Sequence, residues 1–220
     1  SMASGRVKDI DGCESGWAPS TNVTLGYATT YATEGTNCMN IKTESAFTTG
    51  KVAYKQIGGG SPVDFSGYQG IAFMVQMRGS TSVTAAQGWR ICLCSDTTGD
   101  VIVDDLAYVL PASLASAGAP VPMVIWKGGN LGSSIQSIAI YVTADPGAPT
   151  QDFDNFIAIK GIADSDHICP KCVLSQGQDL QDDNWWGING IVDGTVILTG
   201  EFYGGTDGAV SSYRREVVPI

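Results

Sequence analysis

Gly70-Ile71-Ala72-Phe73-Met74-Val75-Gln76-Met77 puts Ile71, Phe73, Val75 and Met77 on one side of an extended chain. Ile138, Ile140 and Val142 repeat the pattern further on. Successive side chains of a strand point to opposite faces, so apolar residues at every second position describe a sheet with one face buried. Working outward, further segments of high β propensity are bounded by Gly, Pro, Asn or Asp. They are Val23 to Tyr31, Met39 to Thr43, Lys51 to Ile57, Trp89 to Ser95, Val101 to Tyr108, Val121 to Trp126 and Phe153 to Lys160. Short strands at this spacing predict an all-β fold, an antiparallel sandwich or barrel. Pro111 to Ala117 is the one weak helix candidate.

Composition agrees. Hydrophobic residues make up 43% of the 220 and charged residues 15%, the reverse of a disordered chain. The 28 glycines suit many tight turns and suit long helices poorly. A formal net charge of -10 repels phosphate, which argues against general nucleic-acid binding and anionic membranes. No apolar run approaches the roughly 20 residues that span a bilayer, so no membrane insertion is expected. Ser1-Met2-Ala3-Ser4 reads as an expression leader, and residues 1–8 are set apart from the fold.

The organisation changes near Gly161. Residues 9–161 read as one sandwich. Residues 162–220 read as a small β appendage, a hairpin or short three-stranded sheet, with candidate strands at Gly190 to Ile197, Thr195 to Tyr203 and Val210 to Val218. Sixty residues hold little core alone. The ending, Tyr213-Arg214-Arg215-Glu216, loosely resembles segments of large phage and cell-surface proteins.

Four segments carry a more specific signal. They are Asp9-Ile10-Asp11-Gly12-Cys13-Glu14-Ser15-Gly16-Trp17, then Glu34-Gly35-Thr36-Asn37-Cys38-Met39, then Asp64-Phe65-Ser66-Gly67-Tyr68, and finally Asp152-Phe153-Asp154-Asn155. In this order they resemble the jelly-roll carbohydrate-binding modules with a galactose-binding-like fold, over residues 9 to 160. The resemblance implies a jelly-roll sandwich and a non-catalytic, glycan- or receptor-binding role on an extracellular or virion surface. It also implies a structural Ca²⁺ held by Asp11, Glu34, the Thr36 carbonyl and Asp154, the hard oxygen set that ion takes. Asp11 stands where the family more usually has Glu. Cys13 and Cys38 begin segments that the family fold sets side by side, which implies a disulfide between them.

Glycan recognition uses flat aromatics against sugar rings, with polar groups fixing the hydroxyls. Candidate aromatics are Trp126, Trp89, Tyr54, Tyr108 and Tyr141, with Arg90 beside Trp89. Trp126 precedes the Gly128-Gly129-Asn130 turn, a rim position. Trp89 alternates with Ile91 and Leu93, which favours burial over a ligand role, and Trp17 is read as core.

Of the six cysteines, Cys92 and Cys94 share a strand face and read as buried free thiols. Cys169-Pro170-Lys171-Cys172 follows His167, the single histidine, and leaves open a loop disulfide, free thiols, half a zinc site or a redox pair. Asn22-Val23-Thr24 matches a glycosylation sequon. No carboxylate pair among the 22 acidic residues is marked out for glycosidase chemistry. Two readings remain: a glycan- or receptor-binding module, and a purely structural virion component assembled with other subunits.

Overall fold

The computed structural model describes residues 7–78, 82–115 and 118–161, and the backbone of strands at 187–192, 195–204 and 209–219. The chain divides into two compact units, Ser1–Gly161 and Ile162–Ile220.

The first unit is an antiparallel sandwich of eleven strands: β1 (Val7–Asp11), β2 (Ala18–Pro19), β3 (Val23–Ala28), β4 (Cys38–Thr43), β5 (Gly50–Gln56), β6 (Gly70–Arg78), β7 (Trp89–Cys94), β8 (Ile102–Ala107), β9 (Val121–Trp126), β10 (Ser137–Val142) and β11 (Thr150–Ile159). One sheet runs β3-β4-β11-β6-β9, with β1 also on β11; the other runs β2-β5-β10-β7-β8. This is the expected jelly-roll sandwich. The weak helix candidate forms one turn, α1 (Ala112–Ala115).

Alternation decides which face each strand buries. Ile71, Phe73, Val75 and Met77 of β6 and Ile138, Ile140 and Val142 of β10 lie in the shared core. At its centre Phe73 packs on Tyr108, Phe153 and Phe156, with ring centroids 5.1 to 6.1 Å apart. Trp17 is core, as expected, tilted on Phe156 at 5.8 Å.

Phe153 and Phe156 are three apart, yet both point inward. Asn155, with φ 52°, makes this possible, because the β11–β6 register slips between Asp154 and Ile157. An extra residue in one strand re-aims the side chains beyond it.

The two sheets are tied at one open edge. Asp104 of β8 is fully buried, and its carboxylate accepts from the ammonium of Lys127, just past β9, and from the Gly132 N–H at 2.7 Å. A buried charge persists only when paired and hydrogen-bonded.

In the second unit, β12 (Gly187–Val192), β13 (Thr195–Gly204) and β14 (Ala209–Pro219) form an antiparallel sheet in that order.

Candidate functional site

The outer faces of the two sheets differ sharply. On the β2-β5-β10-β7-β8 sheet, register aligns Tyr54, Ala139, Cys92 and Asp105 in one row, and Tyr141 and Arg90 in the next. Two of the aromatic candidates therefore meet here, beside Arg90. The face is nevertheless partly covered by its own chain, with Tyr54, Tyr141 and Arg90 half-buried. The strap after β7, Ser95 to Val101, folds back over it. Tyr141 Oη donates to the Gly99 carbonyl at 2.7 Å, and Ser137 Oγ donates to the Asp96 carbonyl at 2.6 Å. Lys51 Nζ donates to the Thr98 carbonyl at 2.7 Å, pairs with Asp100, and stands 4.7 Å over the Tyr54 ring.

Gly99, at φ 75°, lies flat against the sheet, where a methyl group would come within 2.9 Å of Tyr54 Cβ and 3.0 Å of Ala139 Cβ. Cys92 and Cys94 are thereby sealed, free as expected. Burial pushes the Cys92 thiol well up and the Cys94 thiol up to about 12. Burial, then the nearby Cys94, raises Tyr141 to about 12. For Asp96, burial is outweighed by hydrogen bonds from the Thr98 hydroxyl and the N–H groups of Val101, Asp100 and Thr98, which hold it well below the usual carboxylate range.

The sequence expectations are corrected accordingly. Trp89 is core, 1% exposed, and Tyr108 is buried with its hydroxyl donating to Gln151 at 2.8 Å, so neither reaches a ligand. Arg90 is paired with Asp105, and the Tyr141 hydroxyl is spent on the strap.

The other outer face is open where it crosses β1, β11, β6 and β9. Register places Val7, Ile159, Gly70 and Trp126 in one row and Asp9, Ile157, Ala72 and Val124 in the next. Val7, Val124 and Trp126 are all exposed, Trp126 at 54%. The indole lies over Gly70, where a methyl group would sit 2.5 Å from its Cε3 and 2.9 Å from its Cζ3. Glycine is required there on two counts, because a methyl group would also come within 2.8 Å of the Ile125 carbonyl oxygen, and its absence lets the ring rest on the backbone and turn its other side to solvent. Gln69 Nε2 donates to Asn130 Oδ1 at 2.9 Å, which sets an exposed amide at the edge of this platform. Sequence reasoning placed Trp126 at a rim; it missed the neighbours that make it one end of an apolar face, because they come from four strands far apart in the chain.

Toward β4 the same outer face is polar and covered. Asp152, 2% exposed, accepts from Arg78 Nε and Nη2, each at 2.8 Å, and from Asn40 Nδ2 at 2.9 Å. Arg78 also lies 5.2 Å over the Tyr31 ring.

The expected Ca²⁺ set does not converge. Asp11 pairs with Lys55 through Oδ1, while its Oδ2 accepts from Cys13 N–H at 2.9 Å and Trp17 Nε1–H at 2.7 Å. The Thr36 N–H donates to Glu14 at 2.7 Å, which ties the Glu34 turn to the segment after β1. Asp154 Oδ2 accepts from Thr33 Oγ1 at 2.7 Å and Glu34 N–H at 3.0 Å; only its buried Oδ1 lacks a partner. Asp154 Oδ1, the two Glu34 carboxylate oxygens and the Thr36 carbonyl would supply at most four of the six to eight oxygens that Ca²⁺ takes. Among the described residues no three acidic, thiol or imidazole side chains gather on one point. The residues present do not fit the ion.

Cys13 and Cys38 are also corrected: both are buried free thiols, the Cys38 Sγ directed at the Ala28 carbonyl at 3.3 Å. Burial, then Asp11, raises the Cys13 thiol, and burial, then Asp152, raises that of Cys38. Cys169 and Cys172 lie outside the described residues.

No family profile matches the chain, and no curated protein does. Among solved structures, it is similar to the CBM22-1 xylan-binding domain of Xyn10C from Paenibacillus barcinonensis, at 15% identity over 71% of this chain and 94% of that one, with a TM-score of 0.42. It is similar also to the family 11 carbohydrate-binding module from Clostridium thermocellum, whose structure holds a β-1,3-1,4-mixed-linked tetrasaccharide, at 14% identity over 71% and 96% with a TM-score of 0.48.

Proposed function

We propose that this chain is a non-catalytic carbohydrate-binding module that takes its ligand on the Trp126 face. One observation carries the reading: an exposed indole, braced from below by Gly70, with an amide beside it. A pyranose presents an apolar face to such a ring, and the edge amide meets its hydroxyls.

The magnitude is instructive. With Trp126 54% exposed, roughly 100 Å² of indole remains to be covered. At about 25 cal/mol per Å² that contributes about 2.5 kcal/mol. Association costs about 4 kcal/mol or more in lost freedom, so one stacked ring is not enough and the neighbouring row must take part.

Catalysis is a poor match for this surface. Glycoside hydrolysis uses two carboxyl groups about 5–10 Å apart across a cleft. The Trp126 end of the rows holds no carboxylate; Asp9, Glu14 and Glu34 line a recess at the other end, where Glu14 is already engaged by the Thr36 and Asn37 N–H groups.

The test is depletion of the protein from solution by a panel of polysaccharides, with soluble oligosaccharides tested alongside by calorimetry. Wild type binds at least one carbohydrate and Trp126→Ala loses at least tenfold in affinity with its melting midpoint kept. Binding by Trp126→Ala equal to wild type, or no binding by wild type to any carbohydrate, refutes the proposal.

A further inference from the structure

We infer that the Trp126 face recognises the surface of a packed, insoluble polysaccharide rather than a single soluble oligosaccharide. The inference rests on the carbohydrate reading and narrows it to one physical form of ligand.

Two features of the face and one of the ligand point this way. The two rows of the face cross four strands, with Trp126 and Val124 on β9, Gly70 and Ala72 on β6, Ile159 and Ile157 on β11, and Val7 and Asp9 on β1. At the Trp126 end, Trp126, Val124 and Ala72 stand side by side around Gly70 and touch a ligand from one side only, while the Val7 and Asp9 end borders a recess walled by Glu14, Glu34 and Asn155. A site for a free oligosaccharide instead surrounds it and fixes its hydroxyls with several convergent polar groups. These rows contain one charged side chain, Asp9. Finally, a loose chain must be ordered on binding, which weakens a one-sided contact further. In a packed polysaccharide that ordering is already present, and many apolar ring faces lie side by side in a fixed array.

Size and charge argue against a second copy of the protein as the occupant. At a strand spacing of about 4.8 Å and a side-chain repeat of about 7 Å, the two rows measure roughly 19 by 14 Å, or about 270 Å². A stable protein interface needs about 800 Å² from each partner. Two copies would also bring together chains of net charge -10, whereas a neutral polysaccharide meets no such repulsion.

The experiment uses the full chain. Microcrystalline cellulose, insoluble chitin and insoluble xylan are each offered as particles, and the matching soluble hexasaccharide serves as competitor. The expected result is depletion by at least one particle type, less than a tenth of it displaced by 10 mM hexasaccharide, and at least tenfold weaker depletion for Trp126→Ala. Val124→Asp, on the same row system, serves as a second variant and shows the same loss with an unchanged melting midpoint.

Binding of the soluble hexasaccharide in the micromolar range, with efficient displacement, overturns the inference and leaves the carbohydrate reading standing. Failure of every particle and every hexasaccharide overturns both. A discrete dimer in light scattering that dissolves in Trp126→Ala, without particle binding, assigns the face to self-association and also overturns the inference.

Discussion

Arg78→Ala isolates a buried carboxylate, and its cost can be worked from the geometry. Asp152 is 2% exposed, and its Oδ2 receives a single hydrogen bond, from Arg78 Nε at 2.8 Å; Oδ1 keeps Asn40 when Arg78 Nη2 is removed. Breaking a fully buried ion pair from one side costs about 3–5 kcal/mol, because the remaining charge is left unpaired. Arg78 is 42% exposed, so its removal admits water to Asp152 and the cost is discounted to about 2–3 kcal/mol.

The lost stacking on Tyr31 adds about 0.5 kcal/mol at a partly exposed site. The total, about 3 kcal/mol, corresponds to a fall of about 6–12 °C in a unit of this size. Arg78→Lys keeps the charge and loses the two-pronged geometry, and it recovers less than half of the loss. The measurement is hydrogen exchange by mass spectrometry on peptides from β6 and β11, which reads the opening free energy of this unit within the full chain. A loss under about 0.5 kcal/mol in Arg78→Ala would refute the assignment of Asp152 as a charge held by Arg78.

Three further outcomes rest on contacts of the same kind. Gly99→Ala cannot keep both φ 75° and the 2.9 Å approach to Tyr54 Cβ, so the strap lifts; labelling of Cys92 and Cys94 by a small aromatic disulfide rises at least tenfold, and an unchanged rate shows that the strap is not the seal. Asp96 is depressed in the folded state from its ordinary value of 3.8, so its contribution is fully present above about pH 4 and is lost as the pH falls below it; strap exchange protection falls in that acid range in wild type but not in Asp96→Asn, and identical profiles contradict the role given to Asp96. Because Lys55 neutralises Asp11 and no ion site is formed there, a chelator leaves the melting midpoint unchanged while Lys55→Met lowers it; a chelator-induced drop of more than about 2 °C restores the metal, since a ligand bound only to the folded state must raise apparent stability.

The sandwich was legible because it rests on local alternation. Ile71, Phe73, Val75 and Met77 declare their face with no knowledge of the rest of the chain. Alternation failed at Phe153 and Phe156, where the slip at Asn155 puts both rings inward, a backbone event with no marker in the hydrophobic pattern. The candidate site was half legible. Trp126 could be singled out by its neighbours in sequence, but the choice among Trp126, Trp89, Tyr108 and Tyr141 turned on burial. Trp89 and Tyr108 point inward, and Tyr141 is covered by a strap whose return over the sheet depends on one glycine and one lysine. The Ca²⁺ set failed for a related reason. Asp11 sits where a ligand was expected, but Lys55 arrives from β5, some forty residues later, and takes its charge.

The strap and the platform are two answers to one problem. A sandwich has two outer faces, and any apolar or aromatic residue there must be covered by the chain, by a partner, or left to water. On the β5-β10-β7 face the chain covers its own: Tyr54, Tyr141, Ala139 and the two thiols lie under Ser95 to Val101, and the tyrosine hydroxyl and Lys51 are used to hold that cover down. On the β1-β11-β6-β9 face Trp126 and Val124 are left exposed, and Gly70 is kept without a side chain so that the indole can lie on it. Gly70→Ala tests whether that vacancy matters: the added methyl meets the ring at 2.5 Å and the Ile125 carbonyl oxygen at 2.8 Å, so it displaces both the indole and the β9 backbone beneath it, and a ligand that stacks on Trp126 binds the variant more weakly while the melting midpoint falls. If Gly70→Ala binds as wild type does, the ring's seat on the backbone is irrelevant to recognition, and Trp126 must act in another orientation.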